Sequence, residues 1–134
     1  MGRNAIIPKF LFEDEDIICL RDKGITFYEG FQPIGKVKVP CYKFLNITET
    51  EVFDELDKHS INEATSAEAA LESKRNSYAN RAMSILFLKI RMAMNIPNQT
   101  DRLAVSCALI SAVNSLACLN IDYAKRFLPI LRGM

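Results

Sequence analysis

Cys19, Cys41, Cys107, Cys118 and the single His59 are the side chains of this sequence whose types best suit metal binding or nucleophilic catalysis. A zinc site needs four donors to converge and is commonly announced by C-x-x-C pairs. None occurs here: each cysteine stands alone in an apolar neighbourhood, and the four read as reduced, buried thiols of a cytoplasmic chain. No cysteine or serine can be assigned to His59 as a nucleophile from spacing. The histidine falls at the end of an expected short helix, where a protonated imidazole would complement the C-terminal dipole. The acidic run Glu13 to Asp16 has the oxygen chemistry of a divalent-ion site. Four successive acids fan out rather than converge, however, and the run reads as a solvated loop. The phosphate-binding, dinucleotide-binding, zinc-protease and serine-hydrolase signatures are all absent, and the chain has only five glycines from which a phosphate-cradling loop could be built. The chain is therefore read as non-catalytic, with no cofactor and no metal.

Charge is the chemistry that remains. The net charge of +1 conceals a split between the two halves. Residues 1–72 carry eight Lys/Arg against fourteen Asp/Glu, whereas residues 73–134 carry nine Lys/Arg against only Asp101 and Asp122. Two readings compete: the acidic half covers the basic half within one fold, or the basic half meets an anionic partner. The run from Lys74 to Arg91 contains five basic residues and no acid. Lys74, Tyr78, Arg81, Lys89 and Arg91 are the candidate contacts for nucleic acid or an acidic partner, with bases to track phosphates and a tyrosine to stack. The competing reading is a partly solvated helix whose long basic stems cover an apolar flank.

These side chains must be held by folded elements, and the composition supports folding: 49% hydrophobic and 25% charged residues suit a globular chain. At 134 residues it is long enough to bury roughly two-thirds of its unfolded surface without a disulfide or metal staple. The first residues are too broken by Pro8 and Lys9 to read as a signal peptide. Residues 1–60 read as a β-rich, acidic part. "DIICLRDKGITFYEG" predicts a hairpin turning at Gly24, followed by a loop from Gly30 to Gly35. A strand then covers residues 36–39, Pro40 interrupts it, and a further strand covers 42–47. "IIPKFLF" adds an edge strand. Thr48 and Glu51 form a capping box that starts a helix over residues 49–58.

Residues 61–134 read as the helical, basic part. No Gly or Pro interrupts residues 66–96, which predict one long helix. Leu71, Tyr78, Ala82, Ile85 and Met92 form one stripe on it, and Met83, Leu86, Ile90 and Met94 form another. Pro97 ends this helix, and Asn98 or Thr100 caps the next. The nineteen residues from Leu103 to Ile121 then carry no charge. As a helix they would measure about 28 Å, close to the hydrocarbon thickness of a bilayer. Ser106, Ser111, Asn114, Ser115 and Asn120, with no aromatic belt at either edge, favour a central core helix over a membrane span.

The resulting expectation is a single α+β domain over residues 1–134. A small N-terminal antiparallel sheet of three or four strands with a short helix leads into a helical hairpin and a C-terminal helix. Two nearly all-apolar helices in so small a chain predict that a second copy supplies cover. The candidate self-association residues are Ile90, Met94, Ala108, Ala112, Phe127 and Leu131. The expected function is a small non-catalytic interaction or regulatory protein, a homodimer whose apolar surface could alternatively receive another protein's helix. A nucleic-acid-associated regulator using residues 74–91 is the second reading.

Overall fold

In the computed structural model, which describes residues 3–63, 66–116 and 121–133, the N-terminal half builds an antiparallel sheet from β1 (Asn4–Pro8), β2 (Phe27–Ile34) and β3 (Val37–Leu45). The strand order is β1-β3-β2. β2 and β3 form one long hairpin over Gly35 and Lys36, with Ile34 opposite Val37. Gly35 has φ 57°, the positive value that a type II′ turn requires at its first loop residue. Pro33 and Pro40 lie inside these strands rather than in a loop and at a break, opposite Lys38 and Phe31. Counted from the closing pair, both fall at positions whose backbone nitrogen points away from the partner strand. Pro33 therefore faces the open edge of β2. Pro40 faces the side of β3 where β1 has already ended, since their pairing stops at Pro8 opposite Cys41. The two expected strands around Pro40 are one.

Helix α1 (Asp14–Asp22) stands where a hairpin was expected. The acidic run is its first turn, complementing the helix dipole, and the Glu13 N–H donates to Asp16 Oδ2 at 2.9 Å. Gly24 does adopt the left-handed conformation, at φ 77°, but as a helix terminator. Its N–H donates to the Arg21 carbonyl and that of Ile25 to the Leu20 carbonyl, the paired bonds of a Schellman motif.

Helix α2 (Glu49–Glu63) begins at Thr48, whose hydroxyl accepts the Glu51 N–H at 3.3 Å and donates to the Glu51 carboxylate at 3.1 Å. It continues past Lys58, so His59 is exposed within the helix instead of capping its end. Ser66 caps α3 (Ala67–Ala93) by accepting the Ala69 N–H at 3.1 Å. Asn98 Oδ1 caps α4 (Gln99–Leu116), accepting from the backbones of Thr100 and Asp101 at 2.8 and 3.2 Å. The last helix is α5 (Ile121–Arg132), with Pro129 on its exposed side.

Each helix packs on its neighbour in sequence, and α2 and α3 also meet β1. Buried residues from both halves form one cluster, including Ile7, Leu20, Phe44, Met83, Phe87 and Phe127. Val39 and Cys41 are buried on one side of β3 and Phe44 on the other, so both faces of the sheet are partly covered. Phe12 stacks on Phe53 with centroids 5.9 Å apart, while Phe10 meets Phe127 edge-on at 5.1 Å. The end of α5 closes on the hairpin, where the Lys36 N–H donates to the Gly133 carbonyl at 3.2 Å. The molecule is thus α+β, with a three-stranded antiparallel sheet and a short helix leading into the helical half. Among the described residues no helix is long and apolar enough to cross a membrane.

Candidate interaction surfaces

Among the described residues, Cys19, Cys41, His59 and Cys107 lie on four different elements, α1, β3, α2 and α4. Cys19 and Cys41 are buried, and burial pushes the Cys41 thiol up to about 11, away from the thiolate form that reacts. Cys107 is exposed on α4, contrary to the expectation of a buried thiol, and Cys118 lies outside the described residues. Among the described residues no group of three or more His, Cys, Asp or Glu side chains is placed to hold a metal ion. A cleft of about 450 Å³ opens beside α1, α2 and α3, with Glu13, Asp16, Asp57 and His59 on its walls. Burial raises the Asp16 carboxyl above its ordinary value, opposed by the Glu13 N–H that it accepts.

Helix α3 separates the basic candidates. Lys74, Tyr78 and Lys89 are exposed. Arg81 instead donates to Asp54 at 2.7 Å and to Asp57, both on α2, and its Nε donates to Ser77. Those carboxylates hold its guanidinium more firmly protonated against the opposing effect of burial. Arg91 is half-buried, its Nε has no hydrogen-bond partner among the described residues, and its charge acts on Cys41 in the sheet. Three of the five candidates thus share the open face, joined by Arg75, which the sequence reading leaves out.

The two stripes of α3 also part. Met83, Leu86 and Ile90 point into the core, with Met94 half-buried beside them, whereas Leu71, Tyr78, Ile85 and Met92 face outward. Leu88, absent from either expected stripe, is exposed as well.

Helix α4, uncharged after Arg102, is not a fully buried core helix. Ser106, Leu109 and Val113 are buried, but Leu103 is 55% exposed, and Ala104, Cys107, Ala108, Ser111, Asn114 and Ser115 are exposed. One side packs on α3 and α5, and the other is a face of small, uncharged side chains. Among the self-association candidates, Ile90, Phe127 and Leu131 are consumed by the chain's own core, a correction to their expected role. Ala112 is half-buried, and Ala108 alone is fully outward. The error has a simple cause: an apolar side chain selected for covering the sheet has the same composition as one selected for covering a second copy. Exposed small residues at spacings of three and four distinguish the outward face. Comparison of the chain with protein-family models, with curated proteins and with solved structures found no match.

Proposed function

We propose that this is a small non-catalytic interaction or regulatory protein that self-associates as a dimer through the outward face of α4. The observation that carries the reading is that face itself: α4 has no charged residue after Arg102, yet Ala104, Cys107, Ala108 and Ser111 stand exposed. Solvated helix faces are normally charged, and an uncharged face of this length is a feature of helices that gain cover from a neighbour. Small side chains at spacings of three and four let a second helix approach at the close end of the 8–10 Å range. A second copy fits because an isologous contact joins like with like, and this face carries no charge to repel its own image.

Light scattering after size exclusion tests the reading. The expected mass is that of two chains, and Ala108→Glu should return the protein to one chain while leaving its circular dichroism unchanged. A single-chain mass over the whole concentration range overturns self-association, and a dimer that survives Ala108→Glu removes it from α4. The nucleic-acid reading has less support, because Arg81 is committed to α2 and the bases that remain flank an apolar row.

A further inference from the structure

The open face of α3 combines two properties that rarely occur together on a helix in water. Leu71, Tyr78, Ile85 and Met92 stand seven residues apart and are 62%, 62%, 56% and 62% exposed. Seven residues make nearly two turns, so the four side chains form one row about 32 Å long at 1.5 Å per residue. Lys74, Arg75 and Lys89 lie three or four residues from members of this row, on its two flanks, and are exposed. None of the three is in an ion pair among the described residues.

We propose that this face docks an amphipathic helix of another protein, one whose apolar stripe is bordered by Asp and Glu. The row supplies the helix-in-groove anchors at heptad spacing, and the rim supplies charge selection. Two other occupants fit less well. A nucleic acid would satisfy Lys74, Arg75 and Lys89, but its phosphates would leave Leu71, Ile85 and Met92 without an apolar partner. A second copy of α3, laid antiparallel about a point between Arg81 and Ala82, matches Leu71 with Met92 and Tyr78 with Ile85. The same alignment sets Lys74 against Lys89, and a parallel alignment sets every base against its own image. Like charges at these flanking positions are unfavourable, whereas an acid-bordered stripe satisfies row and rim together. The proposal extends the interaction reading to a different helix, so a protein that proves monomeric through α4 leaves it intact.

The test uses the full chain and two synthetic four-heptad peptides with Leu at the core positions, one flanked throughout by Glu and the other by Lys, followed by fluorescence anisotropy. The Glu-flanked peptide should bind at least tenfold more tightly than the Lys-flanked one and weaken as salt rises. Ile85→Asp should abolish binding, and Lys74→Glu combined with Lys89→Glu should shift preference towards the Lys-flanked peptide. All three positions are exposed, and circular dichroism checks that each variant is folded. Equal affinity for both peptides, or affinity indifferent to Ile85→Asp, overturns the proposal. Binding of a duplex or single-stranded oligonucleotide that survives Ile85→Asp would instead assign the rim to nucleic acid. Loss of self-association on Ile85→Asp without any peptide would assign the row to a second copy.

Discussion

Gly24 and Gly133 are glycines for different physical reasons, and substitution separates the two. Gly24 holds φ 77° with nothing within 4 Å of where a Cβ would stand. Gly24→Ala therefore introduces backbone strain alone, on the order of 1–2 kcal/mol. Gly133 has no positive φ, but a Cβ there would lie 2.4 Å from Val37 Cγ2. Gly133→Ala is an overpacking change, about 1–3 kcal/mol. Urea unfolding of the single and double variants checks the assignment: Val37→Ala should recover part of the loss caused by Gly133→Ala and none of that caused by Gly24→Ala. The reverse pattern would mean that the strain lies elsewhere. Gly24 is readable from its neighbours, since Asp-Lys-Gly after an apolar run marks a left-handed residue. Gly133 is not, because a close approach between the last helix and the hairpin leaves no local signature.

A polar contact ties the end of α1 to α2, and it has a pH dependence of known sign. Lys23, just past α1, donates to the Glu55 carboxylate at 3.0 Å and to its carbonyl at 2.8 Å, and Lys58 also reaches Glu55. These hydrogen bonds lower the Glu55 carboxyl below its ordinary value. A carboxyl lowered in the folded state stabilises fully above its unfolded value and loses that contribution as pH falls through the folded one. Wild type should therefore melt above Glu55→Gln at neutral pH, with the gap closing as the solution becomes more acidic than the lowered value. A gap independent of pH would show that Glu55 acts through packing instead. The same region shows what periodicity leaves undecided. Ile17 to Leu20 is an apolar run that suits a buried strand or a helix equally, and the decision lies at its ends, in Glu13, Asp16 and Gly24. The capped starts of α2 and α4 were legible for that reason, whereas the sequence reading does not single out the Ser66 cap of α3. On α3 both stripes were visible, but Met83, Leu86 and Ile90 resemble Ile85, Leu88 and Met92 too closely for composition to say which faces inward. Lys74, Arg75 and Lys89 beside the outer row carry that information.

Across the whole molecule, Arg81 joins the acidic half to the basic half through ion pairs. Arg81 bridges to Asp54 and Asp57, while the pairs Arg3–Glu51, Lys9–Glu29, Lys23–Glu55 and Lys58–Glu55 lie within residues 1–72. The halves also share one apolar core, and the cysteines can report on it separately from the surface. Cys41 is fully buried in the sheet, its thiol proton held up to about 11, and Cys19 is buried in α1, whereas Cys107 stands on the outward face of α4. A thiol reagent attacks the thiolate, so its rate depends on both exposure and the ease of losing the proton. With labelled sites assigned by peptide mass, Cys107 should react quickly in the native protein, and Cys19 and Cys41 only as fast as the core opens. Each tenfold of protection beyond that of the unfolded thiol corresponds to about 1.4 kcal/mol of opening free energy when reclosing is fast. If two copies meet through α4, the Cys107 rate should fall as protein concentration rises, and Ala108→Glu should abolish that dependence. Cys41 labelling as rapid as that of Cys107 would show that sheet and helices part without global unfolding, because no route to its sulfur exists while the core between them is closed.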